Sequence, residues 1–131
     1  MTKKIKRKVI SDNKKIKVYV KFDNHCAYCG VILTVNNRSI DHKQPISKGG
    51  TNNIKNLYPA CTDCNTLKSS LSIEKFRRKI KETLKAFPVR IILKYYNINI
   101  TNKVLFYYEI YDKINTSIKI IHSKSKLYRR L

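Results

Sequence analysis

Two Cys-x-x-Cys pairs, Cys26-Ala-Tyr-Cys29 and Cys61-Thr-Asp-Cys64, constrain this chain more than any other feature of it. Each pair offers two sulfurs from one tight turn, and Gly30, directly after the first, permits the close backbone approach such a turn needs. Together they form the ligand set of a tetrahedral thiolate zinc site, a structural centre closed to substrate. The competing readings are two redox-active dithiols or buried unbonded cysteines. Neither accounts for the motif occurring twice in one small chain. At 131 residues the hydrophobic core is modest, and a bound metal reinforces cores of that size. No N-terminal stretch joins positive charge to an apolar run, and no segment approaches a membrane span. The expectation is a soluble, unexported, cytoplasmic chain whose thiols stay reduced.

Charge narrows the partner. Lys and Arg number 29 against 8 Asp and Glu, a formal net charge of +21, and so large a surplus points to a polyanion. A membrane-surface role calls for one basic amphipathic helix with a broad apolar face. Here the cations are spread instead over both ends and the middle, which suits a nucleic-acid footprint better.

Along the chain, residues 1–8 (MTKKIKRK) lack periodicity and read as a basic arm that meets phosphates. Residues 9–22, rich in β-branched residues alternating with Lys, predict a half-exposed strand. VILTV, 31–35, predicts a short buried strand ended by the turn pair Asn36 and Asn37. A strand follows in RSIDHKQP, stopping before Pro45, then a loop in SKGGTNN with Gly49 and Gly50 as hinges, a second strand in NLYPAC, and a helix opening in TDCNTLKSS. Ser72 is an N-cap for a helix with Ile73, Phe76, Ile80, Leu84 and Phe87 on one face and Lys75, Arg78, Lys79 and Lys85 on the other. Pro88 begins another helix. The alternation of Val104, Phe106, Tyr108 and Ile110 predicts a strand, with helix as the competitor, and the basic tail after Ile121 reads as loose.

The interval between the cysteine pairs, 31 residues, exceeds the ~15–20 of a simple zinc ribbon, so something is inserted. The insertion contains IDHKQPISKGG, residues 40–50. Taken alone, His42 reads as a partly buried strand histidine. In sequence order with Asp41, a Pro three residues on, KGG, NL and CxxCNxxK, it resembles the HNH endonucleases in their ββα-metal form with a four-cysteine scaffold. The resemblance covers Cys26 to about Lys68. It implies an α+β fold: a small ββα-metal core at 22–71 with structural Zn²⁺ on Cys26, Cys29, Cys61 and Cys64, flanked by a basic arm and strand at 1–21 and a basic helical and strand extension at 72–131 that adds DNA contacts.

The resemblance also implies roles. Asp41 and His42 match the family's acid–His pair, Asn56 its central Asn, and Asn65 the place of the third His, making this an HNN variant. Asp41 and Asn65 would ligate a catalytic cation; a carboxylate with an amide oxygen suits Mg²⁺ or Mn²⁺ better than Zn²⁺. His42 would be the general base, since imidazole is the side chain that ordinarily changes charge between pH 5 and 8. Asn56 would tie the long loop and orient His42; Lys68, one turn after Asn65, would reach a phosphate, and Lys48, Arg77 and Arg78 would contact DNA. His25 and His122 carry no signal of function. The expected activity is metal-dependent hydrolysis of DNA phosphodiesters, double-stranded DNA being the partner. A non-catalytic zinc-dependent nucleic-acid-binding module and a structural zinc protein of the ribosome are the alternatives; neither requires Asp41, His42 and Asn65 together.

Overall fold

The computed structural model describes residues 8–86, 91, 94, 95 and 104–128, with side chains to 117 in the last segment. Residues 1–7 of the expected arm, Phe87 and most of the helix expected after Pro88 lie outside the described residues. Among those described, no helix is long and apolar enough to cross a membrane.

The centre is a ββα unit. Strands β1 (Arg38–His42) and β2 (Leu57–Cys61) pair antiparallel, Arg38 opposite Cys61 and His42 opposite Leu57, and α2 (Thr62–Lys68) leaves β2 without a linker. Both strands and the helix fall where the sequence pattern predicts them. An isolated two-stranded ribbon is marginal in water, so its stability comes from what packs on it. The turn carrying Cys26 and Cys29 docks on β2 through Ala27 N–H, which donates to Pro59 O at 2.8 Å.

Two helices complete the core. In α3 (Ile73–Lys85) the Ser72 hydroxyl accepts from Lys75 N–H as its cap, and Phe76 is fully buried with Ile73 and Ile80 against the same cluster. Helix α4 (Tyr107–Tyr128) begins on the cysteine turn: Tyr107 and Tyr108 N–H donate to Tyr28 and Ala27 carbonyls at 3.1 and 2.9 Å. The core is aromatic. Phe76 and Phe106 stack at 5.2 Å between centroids, and Tyr28 meets both edge-on at 5.4 and 5.2 Å, an arrangement favoured by ring quadrupoles.

Four sequence expectations are corrected. Residues 9–22 do not form a strand: α1 (Asp12–Tyr19) is a helix capped by Ser11, and its buried Val18 lies four residues from buried Phe22. Ile16 and Val20, which would share the strand's inner face, are exposed, so the period of two is not kept. VILTV is not a buried strand either, because Val31, Ile32 and Val35 are exposed and only Leu33 is buried; the segment is the return limb of the cysteine turn, bridged to His25. The strand expected at 104–110 gives way to helix from Tyr107, since Glu109 accepts from Phe106 N–H at 2.8 Å as a reciprocal cap. The tail after Ile121, expected to be loose, continues that helix to Tyr128.

Arg77 is the fifth correction. Expected on DNA, it is buried, pairing with both Glu109 oxygens at 2.8 and 2.9 Å and lying over the Phe106 ring at 4.7 Å. It stands four residues after Ile73 and next to Phe76, on the edge of the inward face. Glu109 and Glu74 push its pKa further upward, so it stays charged and clasps α3 to α4. Arg78, one residue on, is exposed. Arg77→Ala should therefore lower the unfolding free energy by about 3 kcal/mol, while Arg78→Ala changes it by no more than ~0.5 kcal/mol; urea titration of both variants measures the difference.

Candidate active site and metal centre

The four cysteine sulfurs converge. All lie within 4.8 Å of one another, and Cys29 Sγ is 3.8 Å from Cys61 Sγ. Four sulfurs around a zinc ion at ~2.3 Å stand about 3.8 Å apart along a tetrahedral edge, so the donor set and its spacing fit that metal. The hydrogen bond from Cys64, outweighing burial, holds the Cys26 thiol down at about 4, while burial pushes Cys29 up to about 11. Cys61 also caps α2, its Sγ accepting from Cys64 N–H at 3.4 Å. Gly30 is required beside this turn: its φ is +77°, and a Cβ there would meet the Tyr107 ring at 2.7 Å.

From this clamp β1 runs to the acid–histidine pair. Asp41 faces inward and is buried; Tyr28 O–H donates to its Oδ2, and Lys68 Nζ sits 3.0 Å from Oδ2 and 3.2 Å from Oδ1. Burial raises the Asp41 pKa, and the Tyr28 and Lys68 contacts oppose that rise. Burial and the Asp41 charge drive Tyr28 far upward, so its phenol remains a donor. Lys68 is not the phosphate contact the sequence suggests: it is completely buried, and its Nζ also donates to the His42 carbonyl at 2.9 Å. One ammonium thus fixes the side chain of residue 41 and the backbone of residue 42.

His42 ends β1 and is half-buried. Its Nε2 lies 2.7 Å from Asn52 Oδ1, while Asn52 Nδ2 donates to the Lys8 carbonyl at 2.9 Å. That second bond decides which end of the amide meets the ring. An amide oxygen only accepts, so Nε2 carries a proton and Nδ1 of the neutral ring keeps its lone pair. Asn52 was not among the residues singled out from sequence; it sits in a polar loop where many amides are merely turn residues, and only its bond to the ring distinguishes it.

Asn56 ties the loop, as expected, but does not touch the imidazole. Its Oδ1 accepts from Gln44 N–H at 2.8 Å, and its Nδ2 donates to the Gln44 and Thr51 carbonyls at 3.0 and 2.9 Å. Gly50 closes the same loop against Gln44, whose carbonyl oxygen would lie 1.8 Å from any Cβ there. Asp41, His42 and Asn65 line one cavity of about 490 Å³, together with Pro45, Ile46, Ser69 and Ser70. Adjacent strand residues point to opposite faces, yet Asp41 and His42, the last two residues of β1, both line this space. Lys48 is exposed in the loop between the strands.

Residues 26–71 match the family of HNH endonucleases. The chain is also similar to YoqL, a candidate HNH endonuclease from the SPbeta prophage of Bacillus subtilis (strain 168), at 32% identity over 63 residues; the match takes in 42% of this chain and 27% of that protein. A crystal structure of the Type II-C Cas9 enzyme from Actinomyces naeslundii aligns with 57% of this chain and 8% of its own length at 26% identity and a TM-score of 0.48. The chain thus spans only about a quarter of its curated relative's length.

Lys68→Met keeps the stem and strips the charge, leaving the Asp41 carboxylate buried and unpaired. It should cost about 3–5 kcal/mol of stability. Adding Asp41→Asn should restore a large part of that loss, and a urea double-mutant cycle reads the coupling.

Proposed function

We propose that the HNH endonuclease domain at residues 26–71 hydrolyses phosphodiester bonds of DNA, with His42 as the general base and Asp41 and Asn65 holding Mg²⁺ or Mn²⁺. The observation that carries this reading is the shared cavity: Asp41, His42 and Asn65 all line it, and Asn52 holds the His42 ring through Nε2. Its donors for a cation are oxygens, the preference of hard divalent ions that keep several of their waters. When bound, such an ion would stabilise charge gathering on the phosphoryl and departing oxygens.

The chain's own residues do the rest. A water oxygen attacks phosphorus, its proton passes to His42 Nδ1, and the bond from phosphorus to the departing sugar oxygen breaks. Asn52 keeps the other ring nitrogen protonated and the ring aimed, so the base needs no tautomer change before it acts. Lys68 takes the role of a brace: it holds the Asp41 carboxyl in place, and its charge opposes the upward pull of burial on that group. Lys48 and Arg78, both exposed, are suited to backbone phosphates of double-stranded DNA. Zn²⁺ on the four cysteines would be structural, because all four positions around it are filled by sulfur.

Incubation with supercoiled plasmid and Mg²⁺ or Mn²⁺ should give nicked or linear product that EDTA abolishes; an intact plasmid under every metal would overturn the reading. His42→Ala should slow cutting by ~10²–10⁴-fold while binding at low salt persists, and equal loss of both would remove His42 from the role of base. Cys61→Ser should lower the melting temperature, as should prolonged chelation of the wild type, because apo four-sulfur sites lose folding energy with their metal. Unchanged melting in both would count against structural zinc.

A further inference from the structure

His42 borders a second cleft, which Asn65 does not line. This cleft, of about 910 Å³, lies between the start of α1 and the loop through Asn52, and Lys8, Lys14 and Lys15 stand along it. None of its lining residues is acidic. Lys14 Nζ donates to the Asn52 carbonyl at 2.9 Å, and Asn52 Nδ2 to the Lys8 carbonyl, so the same amide that aims His42 also fastens this wall. Lys15 pairs with Asp12 at 3.2 Å, but Asp12 is almost fully exposed, and an exposed pair of that kind holds its lysine weakly. Val9 and Ile10 add apolar surface beside the cations.

We propose that this cleft holds the backbone of the cleaved nucleic-acid strand on one side of the phosphodiester presented to His42, with Lys8, Lys14 and Lys15 meeting its phosphates. The proposal rests on the nuclease reading above and deepens it. A strand running past His42 has two flanks, and His42, with Ile46, lines both clefts; the one bordered by Asp41 and Asn65 receives the reacting phosphate, and the lysine-lined one receives the phosphates beyond it. Its volume lies near the top of the ~300–1,000 Å³ spanned by ordinary ligand pockets, which leaves room for more than one phosphate. Three cations, of which only Lys15 has an acidic partner and that one exposed, provide the complementary charge. Residues 8–10 are thereby part of the substrate path rather than of a general electrostatic tail.

The test compares two substrates with the full chain. One is supercoiled plasmid; the other is bis(p-nitrophenyl) phosphate, a diester with nothing to place in the second cleft. The double variant Lys8→Gln, Lys15→Gln leaves the Lys14 bond to Asn52 in place and should cut plasmid at least fivefold more slowly, hydrolyse the small diester at the wild-type rate, and melt as the wild type does. The triple variant that adds Lys14→Gln should cut plasmid no faster than the double. A smaller loss on plasmid, or a parallel loss on both substrates, overturns the proposal. Should the wild type cut neither substrate, the nuclease reading fails on its own. The cleft is then judged by oligonucleotide binding at stepped salt: the triple variant should reduce the logarithmic salt slope by about 0.7–0.9 per lysine, and an unchanged slope overturns it.

Discussion

Four sulfurs gathered within 4.8 Å join residues 26–29 to residues 61–64, and the rest of the molecule is arranged around that join. One pair lies on a turn with few regular backbone bonds of its own; the other ends β2 and opens α2. Once they meet, the turn is held on the sheet by Ala27, and its two outward carbonyls become the platform from which α4 starts. The sheet is too small to be stable alone. It gains stability because this clamp brings Tyr28 into contact with Phe76 and Phe106, elements far away in sequence.

A second dependence runs through Lys68. A fully buried ammonium is tolerated only with close partners, and it has three: both oxygens of Asp41 and the carbonyl of His42. Because Lys68 closes α2 and its partners close β1, the pair locks the last turn of the helix against the last residues of the strand. The positions of Asp41, His42 and Asn65 are therefore consequences of packing as much as of the loop. His42 is steadied from its backbone by Lys68 and from its ring by Asn52, so the imidazole is restrained at both ends.

Much of the site could be read from residue order. The cysteine spacing, the Asp–His pair, the Asn that ties the loop and the Asn after the last cysteine all lie in local motifs, and the two strands and α2 between them have short, strong patterns. The errors share a cause. At 9–22 and 104–110 an alternation of apolar residues suggested strands, yet residues four apart, Val18 and Phe22, are the pair buried in the first, and a capping carboxylate, Glu109, decided the second. In each case the apolar alternation suited a strand, and a side-chain cap at the segment's start, Ser11 in one and Glu109 in the other, goes with the helix instead.

The sequence by itself determined the two cysteine pairs, the order of Asp41, His42 and Asn65 and the cap of α3 at Ser72, because each depends on neighbours within a few residues. Only the tertiary structure decided which cations face water. Lys68 and Arg77 stand among many basic residues, and nothing in their immediate context marks them as internal. They are buried because Asp41 and Glu109, 27 and 32 residues away, are brought alongside to receive them. Likewise Asn52 differs from its neighbouring amides only because the fold sets it 2.7 Å from the ring of His42. Charge burial and hydrogen-bond partnership depend on what packs against a residue, and that is settled when distant parts of the chain meet.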